Sequence, residues 1–417
     1  MDFIRDNFSI AFTEDEHSDF DSAVAEFSDA AAWEAIPASD VTFLPMTAIV
    51  PEDLSVGGVD AFTDSSVGEL PLAVRYDDDG RTFLIRPYLF KNIKQQFRDD
   101  AAILSDMLSK GRIDKFCDHL NMSKEFIGKK KLQVMYRGEK ISGWFSDFNH
   151  NWDQTKQIDF MWDELSSRFP SMKFAGGYIS HLQTELKTTL DDAITAKLVG
   201  SDSLVADYLD AWEAAGGDRE ALKNAVPTLQ FRTGESGLYA VTASPSLQIP
   251  PTPGYTRGRI IPLGSALSVN HRGADNAVWD KFAKFPDNIG TLYVKGLEGL
   301  KKMCNTRIFF PYNALTHALK LFKSSIPIAE LKRVCDDAEV YFGMDDSTTC
   351  SAIDLYNMVN DMVTSVIASK KLSEQKAFQN QEILARLCNM DWKTLDQKTP
   401  AKIGGKDTSF EIDFVRV

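Results

Sequence analysis

The sequence has few cysteines, few histidines and no long apolar run, and each shortage excludes a class of protein. Its five cysteines are widely spaced, with no Cys-x-x-Cys pair and no nearby histidine at a zinc-ligand spacing. No segment approaches the roughly 18 to 20 apolar residues of a membrane span, and the start, MDFIRDNFSIAF, lacks the basic and then apolar layout of a secretion signal. We therefore expect a cytoplasmic protein with reduced thiols, no metal site and no membrane partner.

Catalytic signatures are missing as well. The chain contains no GxxxxGK[ST] or GxGxxG loop to hold phosphates and no HExxH zinc motif, and its six histidines never share a metal-ligand spacing. The serine in TGESGL does not lie in a GxSxG elbow. The sequence predicts no catalytic residue and no cofactor, and it favours a non-enzymatic protein, with an enzyme as the third alternative.

Basic residues are almost absent from the first 80 positions. This segment holds 19 Asp and Glu against Arg5 and Arg75 alone, a net charge of −17, whereas the rest of the chain carries +3. Such asymmetry predicts either a solvated acidic segment that keeps the protein soluble, or an acidic arm that covers a basic groove or docks on a neighbouring subunit. Under the second hypothesis the arm competes with a polyanion for the groove.

Two later windows, residues 81–150 and 251–330, are each net +6. They place cations beside aromatic residues such as Tyr136 and Tyr255, a combination that binds single-stranded nucleic acid through phosphates and stacked bases. Solvated surfaces use the same residue types, and that is the alternative. Residues 257–272 are expected to form a two-stranded hairpin that gathers basic residues at one end. The candidate nucleic-acid-binding residues are Lys129, Lys130, Lys131, Arg137, Lys140, Arg257, Arg259, His271 and Arg272.

Apolar periodicity predicts an α+β fold, with a mixed or antiparallel sheet in the middle region and a helical C-terminal third packed on it. Alternating runs around turns predict hairpins at residues 75–85 (RYDDDGRTFLI) and 132–146. The predicted divisions are an acidic arm or small lobe (1–74), a sheet-containing core (75–286), a helical region (287–395) and an extended tail (396–417). The leucines expected to be buried in the helical region are Leu292, Leu297, Leu300, Leu315, Leu319, Leu331, Leu355 and Leu384.

The most motif-like segment is FRTGESGLYAV, residues 231–241. Glu235 follows a glycine and lies near Arg232, but spacing identifies no second acid, base or metal ligand for chemistry. We therefore expect Arg232, Glu235 and Gly237 to form a structural turn, braced by an ion pair that is buried or stabilises the turn.

Several segments resemble a large phage/plasmid-like protein family of unknown function. YRGEKISGWFSDFNHNWD, from residue 136, is similar to that family's charged-turn hairpin, and FRTGESGLYAVTASPSLQ is similar to its Asn-Ser-Glu-x-Gly strand. Glu235 and Gly237 are in place there, Thr-Gly replaces Asn-Ser, and the family's later Cys-x-Asn is absent. VNHRG and NMVNDMVTSVI continue the likeness, which covers about residues 75–390. The resemblance implies a bacteriophage or plasmid origin and a role in handling single-stranded DNA, like that of annealing proteins.

Two function classes are therefore open. The first is a homo-oligomeric, non-enzymatic protein of a mobile element that binds single-stranded DNA, and in the stronger form anneals it, through basic hairpins at residues 129–140 and 257–272. The second is a phage structural, assembly or inhibitor protein that binds another protein through its acidic N-terminal region.

Overall fold

The computed structural model describes residues 1–54, 72–96, 101–127, 131–138, 140–146, 153–190, 226–235, 240–249, 259–264, 267–269, 275–342, 348–369, 372 and 374–403. The α+β prediction is confirmed, because helices and antiparallel strands both occur and helices dominate the C-terminal part. None of the described helices is long and apolar enough to cross a membrane. The helices are α1 (His17–Asp29), α2 (Phe90–Gln96), α3 (Ala101–Ser109), α4 (Ile113–Ile127), α5 (Gln154–Arg168), α6 (Asp275–Phe282), α7 (Phe285–Cys304), α8 (Pro311–Leu319), α9 (Ile328–Phe342), α10 (Ala352–Ala368) and α11 (Glu374–Asn389).

Seven strands form an antiparallel sheet, which we call the meander sheet. Its strand order is β1-β8-β9-β10-β11-β12, and β13 also pairs with β11. Strands β8 to β11 follow one another along the chain, so each pairs with its sequence neighbour, and β1 joins the edge from far away. The strands are β1 (Ser9–Phe12), β8 (Lys173–Ser180), β9 (Thr184–Thr189), β10 (Val226–Thr233), β11 (Val241–Ile249), β12 (Arg259–Pro262) and β13 (Leu267–Val269).

Six strands form a second sheet that curls into a barrel. Its order is β2-β6-β7-β5-β4-β3, so β2 and β3 lie at opposite edges although only residues 38–40 separate them. That connection spans at most about 14 Å, whereas the edges of a flat six-stranded sheet lie about 24 Å apart. The sheet must therefore curl until its two edge strands approach each other. The strands are β2 (Ala32–Pro37), β3 (Val41–Pro45), β4 (Leu72–Tyr76), β5 (Thr82–Ile85), β6 (Lys131–Arg137) and β7 (Lys140–Ser146). A two-stranded pair, β14 (Arg307–Ile308) with β15 (Cys350–Ser351), lies in the helical region.

Helix α4 covers the free edge of β3. The side-chain amide of Asn121 accepts from the backbone N–H of Phe43 and donates to its carbonyl, both at 2.8 Å, so it stands in for a neighbouring strand. The ammonium group of Lys124 donates to the carbonyl of Val41 at 3.0 Å. An exposed edge would leave these backbone groups open to pairing with other chains, and α4 removes that liability.

Each sheet has its own apolar core. Inward-facing residues of the barrel pack against α2 to α4 through side chains such as Phe116 and Leu120. The meander sheet packs against α1 and α5 and against the C-terminal helices in one continuous core. The burial prediction for the helical leucines is confirmed for seven of the eight, with Leu292 half-buried. The seven are Leu297, Leu300, Leu315, Leu319, Leu331, Leu355 and Leu384.

Two sequence-based expectations about the chain's layout are wrong. The start of the chain is not a separate arm, because β1 is an edge of the meander sheet while β2 and β3 belong to the barrel. The described part of residues 257–272 does not form a two-stranded unit, because its two strands, β12 and β13, each pair with β11. β11 is nine residues long, which gives each of these short strands its own stretch to pair with.

Candidate functional site

Charged and polar side chains, most of them buried, cluster where the barrel meets the meander sheet. From the barrel come the residue after β5, the last residue of β6 and the first of β7. From the other side come a residue before β1 and the residues that follow β8 and β10. Four members are at most 3% exposed and a fifth is 8% exposed, so their interactions are shielded from solvent. We call this group the buried charge cluster, and its members are Asp6, Arg86, Arg137, Lys140, His181 and Glu235.

Arg86 binds the segment that precedes β1. Its guanidinium donates to the backbone carbonyls of Phe3 and Arg5, the latter at 3.1 Å, and pairs with the carboxylate of Asp6 at 2.9 Å. Its Nε atom donates to the hydroxyl of Ser142 at 2.9 Å, which ties the same side chain to β7. Arg86 therefore fastens residues 3–6 to the barrel.

Asp6 bridges two cations. Its Oδ1 atom accepts from Lys140 at 3.1 Å as well as from Arg86. Gly138, in the turn between the two barrel strands, has a φ of +57°, and a Cβ at this position would overlap the carbonyl of Phe3. The turn can approach the N-terminal segment this closely only because a glycine occupies that position.

Arg137 connects the barrel to the meander sheet. Its guanidinium pairs with the carboxylate of Glu235, donates to the carbonyl of Phe27 at 3.0 Å and lies 3.7 Å from the centre of that phenyl ring. The hydroxyl of Ser28 lies 3.4 Å from both Glu235 and Asp153. Burial raises the pKa of Glu235, and the guanidinium opposes that effect. A buried charge of either sign is tolerated here because its partner is fixed beside it.

His181 is held in its neutral form. Its Nε2 atom lies 2.9 Å from the carbonyl of Arg5, which requires a proton on that nitrogen. Burial lowers the pKa of His181, and the neighbouring charges of Arg86 and Arg137 add to this effect, which together bring it to about 2. The imidazole acts as a neutral donor that helps to hold the N-terminal segment.

A second buried ion pair lies on the meander sheet, between neighbouring strands. Arg232 donates to Glu185 at 2.7 Å and to Gln381 of α11 at 2.8 Å, and its guanidinium lies over the ring of Phe378. Burial by itself would raise the pKa of Glu185, but Arg232 and Lys187 outweigh it and lower the pKa to about 2. This pair anchors α11 to the sheet.

The structure corrects part of the predicted nucleic-acid site. Arg137 and Lys140 are each 1% exposed and paired with carboxylates, so a phosphate cannot reach them. The hairpin alternation was correct, but the face that carries these two residues is covered by the rest of the chain. Lys131 is exposed at the start of β6. The side chain of Arg259 lies outside the described residues, as do Lys129, Lys130, Arg257, His271 and Arg272.

The prediction that Glu235 forms a structural ion pair is right, but the predicted partner, Arg232, is wrong. Glu235 is buried and ion-paired at the end of β10, as expected, but it pairs with Arg137, whereas Arg232 pairs with Glu185. The side chains of Arg232 and Glu235 belong to different clusters because the strand directs the former toward α11. Gly237 lies outside the described residues.

Sequence reasoning missed Arg86, His181 and Asp6 as members of the cluster. Each is a single polar residue beside a strand, and nothing in its local spacing distinguishes it from a solvated side chain. Only the pairing of strands that are far apart in the sequence brings these three residues together.

The described residues offer few groups for covalent chemistry. Burial raises the pKa of all five thiols to about 12, so none is a thiolate nucleophile at neutral pH. Within the described ranges no three His, Cys, Asp or Glu side chains are grouped as metal ligands. The charged groups of the cluster are engaged with one another and with backbone carbonyls, an arrangement that fixes two units of structure together.

The chain matches no model of a known protein family, no curated protein and no solved structure. Its resemblance to the phage/plasmid-like family therefore stays a prediction.

Proposed function

We propose that this protein binds single-stranded nucleic acid through its barrel. The observation that carries the proposal is the connectivity of the barrel. If β2 and β3 are counted as one first strand bent at residues 38–40, then β4, β5, β6 and β7 are the second, third, fourth and fifth strands. Their order in the sheet is then first, second, third, fifth and fourth. The third and fifth strands are parallel, and helices α2 to α4 lie between the third and the fourth. This is the arrangement of the OB fold, a partly open Greek-key barrel that binds oligonucleotides or oligosaccharides.

A fold alone does not establish a function, so the proposal needs a site. OB barrels bind ligands on the face of their second and third strands and with two flanking loops. The loop between β6 and β7, one of those two, is occupied by the buried charge cluster. The outer face of β4 and β5, which we call the ligand face, is the part that corresponds to the second and third strands.

The ligand face carries an available arginine. Arg75 of β4 is exposed, lies in register between Thr42 of β3 and Thr82 of β5, and forms no ion pair with a described residue. Arg81, at the end of the same hairpin, already pairs with Glu34 at 2.8 Å and with Asp79 at 2.6 Å, so we assign the ligand contact to Arg75. Arginine combines phosphate bonding with stacking on base planes, which favours nucleic acid over an uncharged saccharide.

Salt-dependent binding tests the proposal. We expect a fluorescent 20-nucleotide oligo(dT) to bind with an affinity that falls as salt rises from 50 to 200 mM, because phosphate contacts release counterions. Arg75→Ala should weaken binding and reduce the salt slope by about 0.7 for one lost phosphate contact. Arg333→Ala removes an exposed arginine from α9 and serves as the matched control. The proposal fails if 100 µM protein shows no salt-sensitive binding, or if the two variants behave alike.

The acidic face of α1 and α5 favours a second candidate, in which this region binds a basic protein. Burial raises the pKa of Asp21, with His17 opposing it, and burial together with Asp21 and Asp163 raises the pKa of Asp159. A basic partner would relieve this repulsion. We expect Asp21→Asn/Asp159→Asn to weaken binding of a fluorescent oligo-lysine peptide more than the same charge change in Asp2→Asn/Glu14→Asn. Equal effects would remove this candidate.

A further inference from the structure

We infer that residues 46–54, which we call the strap, are an internal occupant of the ligand face and must lift before nucleic acid binds there. The inference rests on the proposed function and adds its regulation. Ile49 and Leu54 of the strap are 7% and 8% exposed and pack with Ala73 of β4 and Leu84 of β5 in a small apolar cluster of their own. Register places Ala73 opposite Leu84 on the outer side of the barrel. The strap therefore covers the surface where a ligand would lie.

Among the described residues, only apolar contacts hold the strap to the barrel. In the described part of the chain, its hydrogen bonds are internal: Ile49 to Met46 at 3.3 Å, Leu54 to Pro51 at 3.2 Å, and Asp53 with Val50 in both directions. A segment that keeps its own hydrogen bonds and makes none to the sheet can separate as a unit without leaving backbone groups unpaired. The hydrogen bonds of the strap therefore do not oppose its separation from the barrel.

The strap also carries negative charge, as a nucleic acid does. Glu52 and Asp53 are exposed on it, and they lie on the same outer surface as the exposed Arg75. Carboxylates at this position repel an approaching phosphate backbone as long as the strap packs on the barrel. A nucleic acid must compete with both the apolar contacts and the charge of the strap, so its apparent affinity is reduced by the fraction of molecules that are closed.

Loosening the strap tests this inference without altering the barrel. Ile49→Ser/Leu54→Ser removes the two apolar anchors, and Val50→Ser, at an exposed strap position, is the control. Asp53→Ala removes a charge and the internal bond to Val50, whereas Glu52→Ala removes a charge only. We expect the double serine variant to bind oligo(dT) at least tenfold more tightly than the wild type and the Val50 control. Asp53→Ala should bind more tightly than Glu52→Ala.

The possible outcomes are distinct. Wild-type binding with no gain in the loosened variants overturns the strap and leaves the proposed function standing. If the wild type shows no salt-sensitive binding at 100 µM, the proposed function itself fails, and the strap inference, which rests on it, fails with it. Circular dichroism establishes whether each variant is folded. If the double serine variant is not folded, the comparison of Asp53→Ala with Glu52→Ala decides the result. Equal oligo(dT) affinities of these two variants would overturn the strap inference.

Discussion

Arg137, at the end of barrel strand β6, pairs with Glu235, at the end of meander strand β10, 98 residues further along the chain. Both side chains are buried, and their ion pair joins two sheets that have separate apolar cores. The cluster around this pair is therefore a structural junction between the barrel and the rest of the chain. Under the proposed function, nucleic acid binds on the outer surface of the barrel, away from this junction.

Breaking this junction on one side should be costly. Arg137→Met leaves Glu235 buried without its cation, and we expect the free energy of unfolding to fall by about 3 to 5 kcal/mol in a urea titration. Arg137→Met/Glu235→Gln removes both charges and should recover most of the loss. Lys110→Ala breaks an exposed helical pair with Asp106 and should cost about 0.5 kcal/mol or less. Equal costs for Arg137→Met and Lys110→Ala would contradict the junction.

His181 should make stability depend on pH at an unusual place. Its folded pKa, about 2, lies below the unfolded value of about 6.5, so the unfolded chain takes up the proton first. The contribution is complete above pH 6.5 and is lost as pH falls, by about 1.4 kcal/mol per pH unit. Between pH 6.5 and 5, before most carboxylates titrate, His181→Gln should flatten the pH dependence of the urea midpoint. Parallel curves for wild type and variant would show that His181 is not buried in neutral form.

Alanine substitutions at Gly138 and Gly80 distinguish the cost of backbone strain from the cost of a steric overlap. Both have positive φ, +57° and +74°, but a Cβ at Gly138 would overlap the carbonyl of Phe3, while nothing lies within 4 Å of one at Gly80. We expect Gly80→Ala to lower the free energy of unfolding by about 1 kcal/mol and Gly138→Ala by about 3 kcal/mol or more, because residues 3–6 must shift. Similar losses at both positions would mean that the N-terminal segment is not docked on this turn.

Asn121 should matter more than its position on a helix surface suggests. Asn121→Leu removes both hydrogen bonds to the backbone of Phe43, and at a net value of about 1 kcal/mol each we expect a loss of about 2 kcal/mol. Hydrogen exchange at the Phe43 amide should accelerate. Met122→Ala changes the exposed neighbour and should alter neither quantity. Unchanged exchange in Asn121→Leu would contradict the capping of the β3 edge.

Local pattern was sufficient to predict the elements that depend on nearby residues. The Asp-Gly turn and alternation of residues 75–85 predicted the hairpin of β4 and β5, and residues 132–146 predicted β6 and β7. The C-terminal helices followed from apolar recurrence at three and four residues, and seven of the eight leucines named for them are buried as expected. These features are encoded within about 15 residues, which is the range that periodicity covers.

Distant pairing was beyond such reasoning. The separation of β2 and β3 to opposite edges of one sheet depends on partners about 100 and 30 residues away. Arg137 and Lys140 fit the pattern of an exposed basic hairpin, and only the docking of residues 3–6 and Glu235 makes them internal. Likewise, the acidic composition of the first residues does not reveal that they form strands in two different sheets.

The location of bound nucleic acid tests the central claim most directly. An oligo(dT) carrying 5-bromodeoxyuridine, cross-linked to the wild-type protein by ultraviolet light, reports the contacted peptides by mass spectrometry. We predict cross-links within residues 72–86, which include Arg75 and the outward-facing strand positions beside it, and a loss of yield in Arg75→Ala. Cross-links confined to the meander sheet and the C-terminal helices, with none on β4 or β5, would contradict the assignment of the ligand face to the barrel.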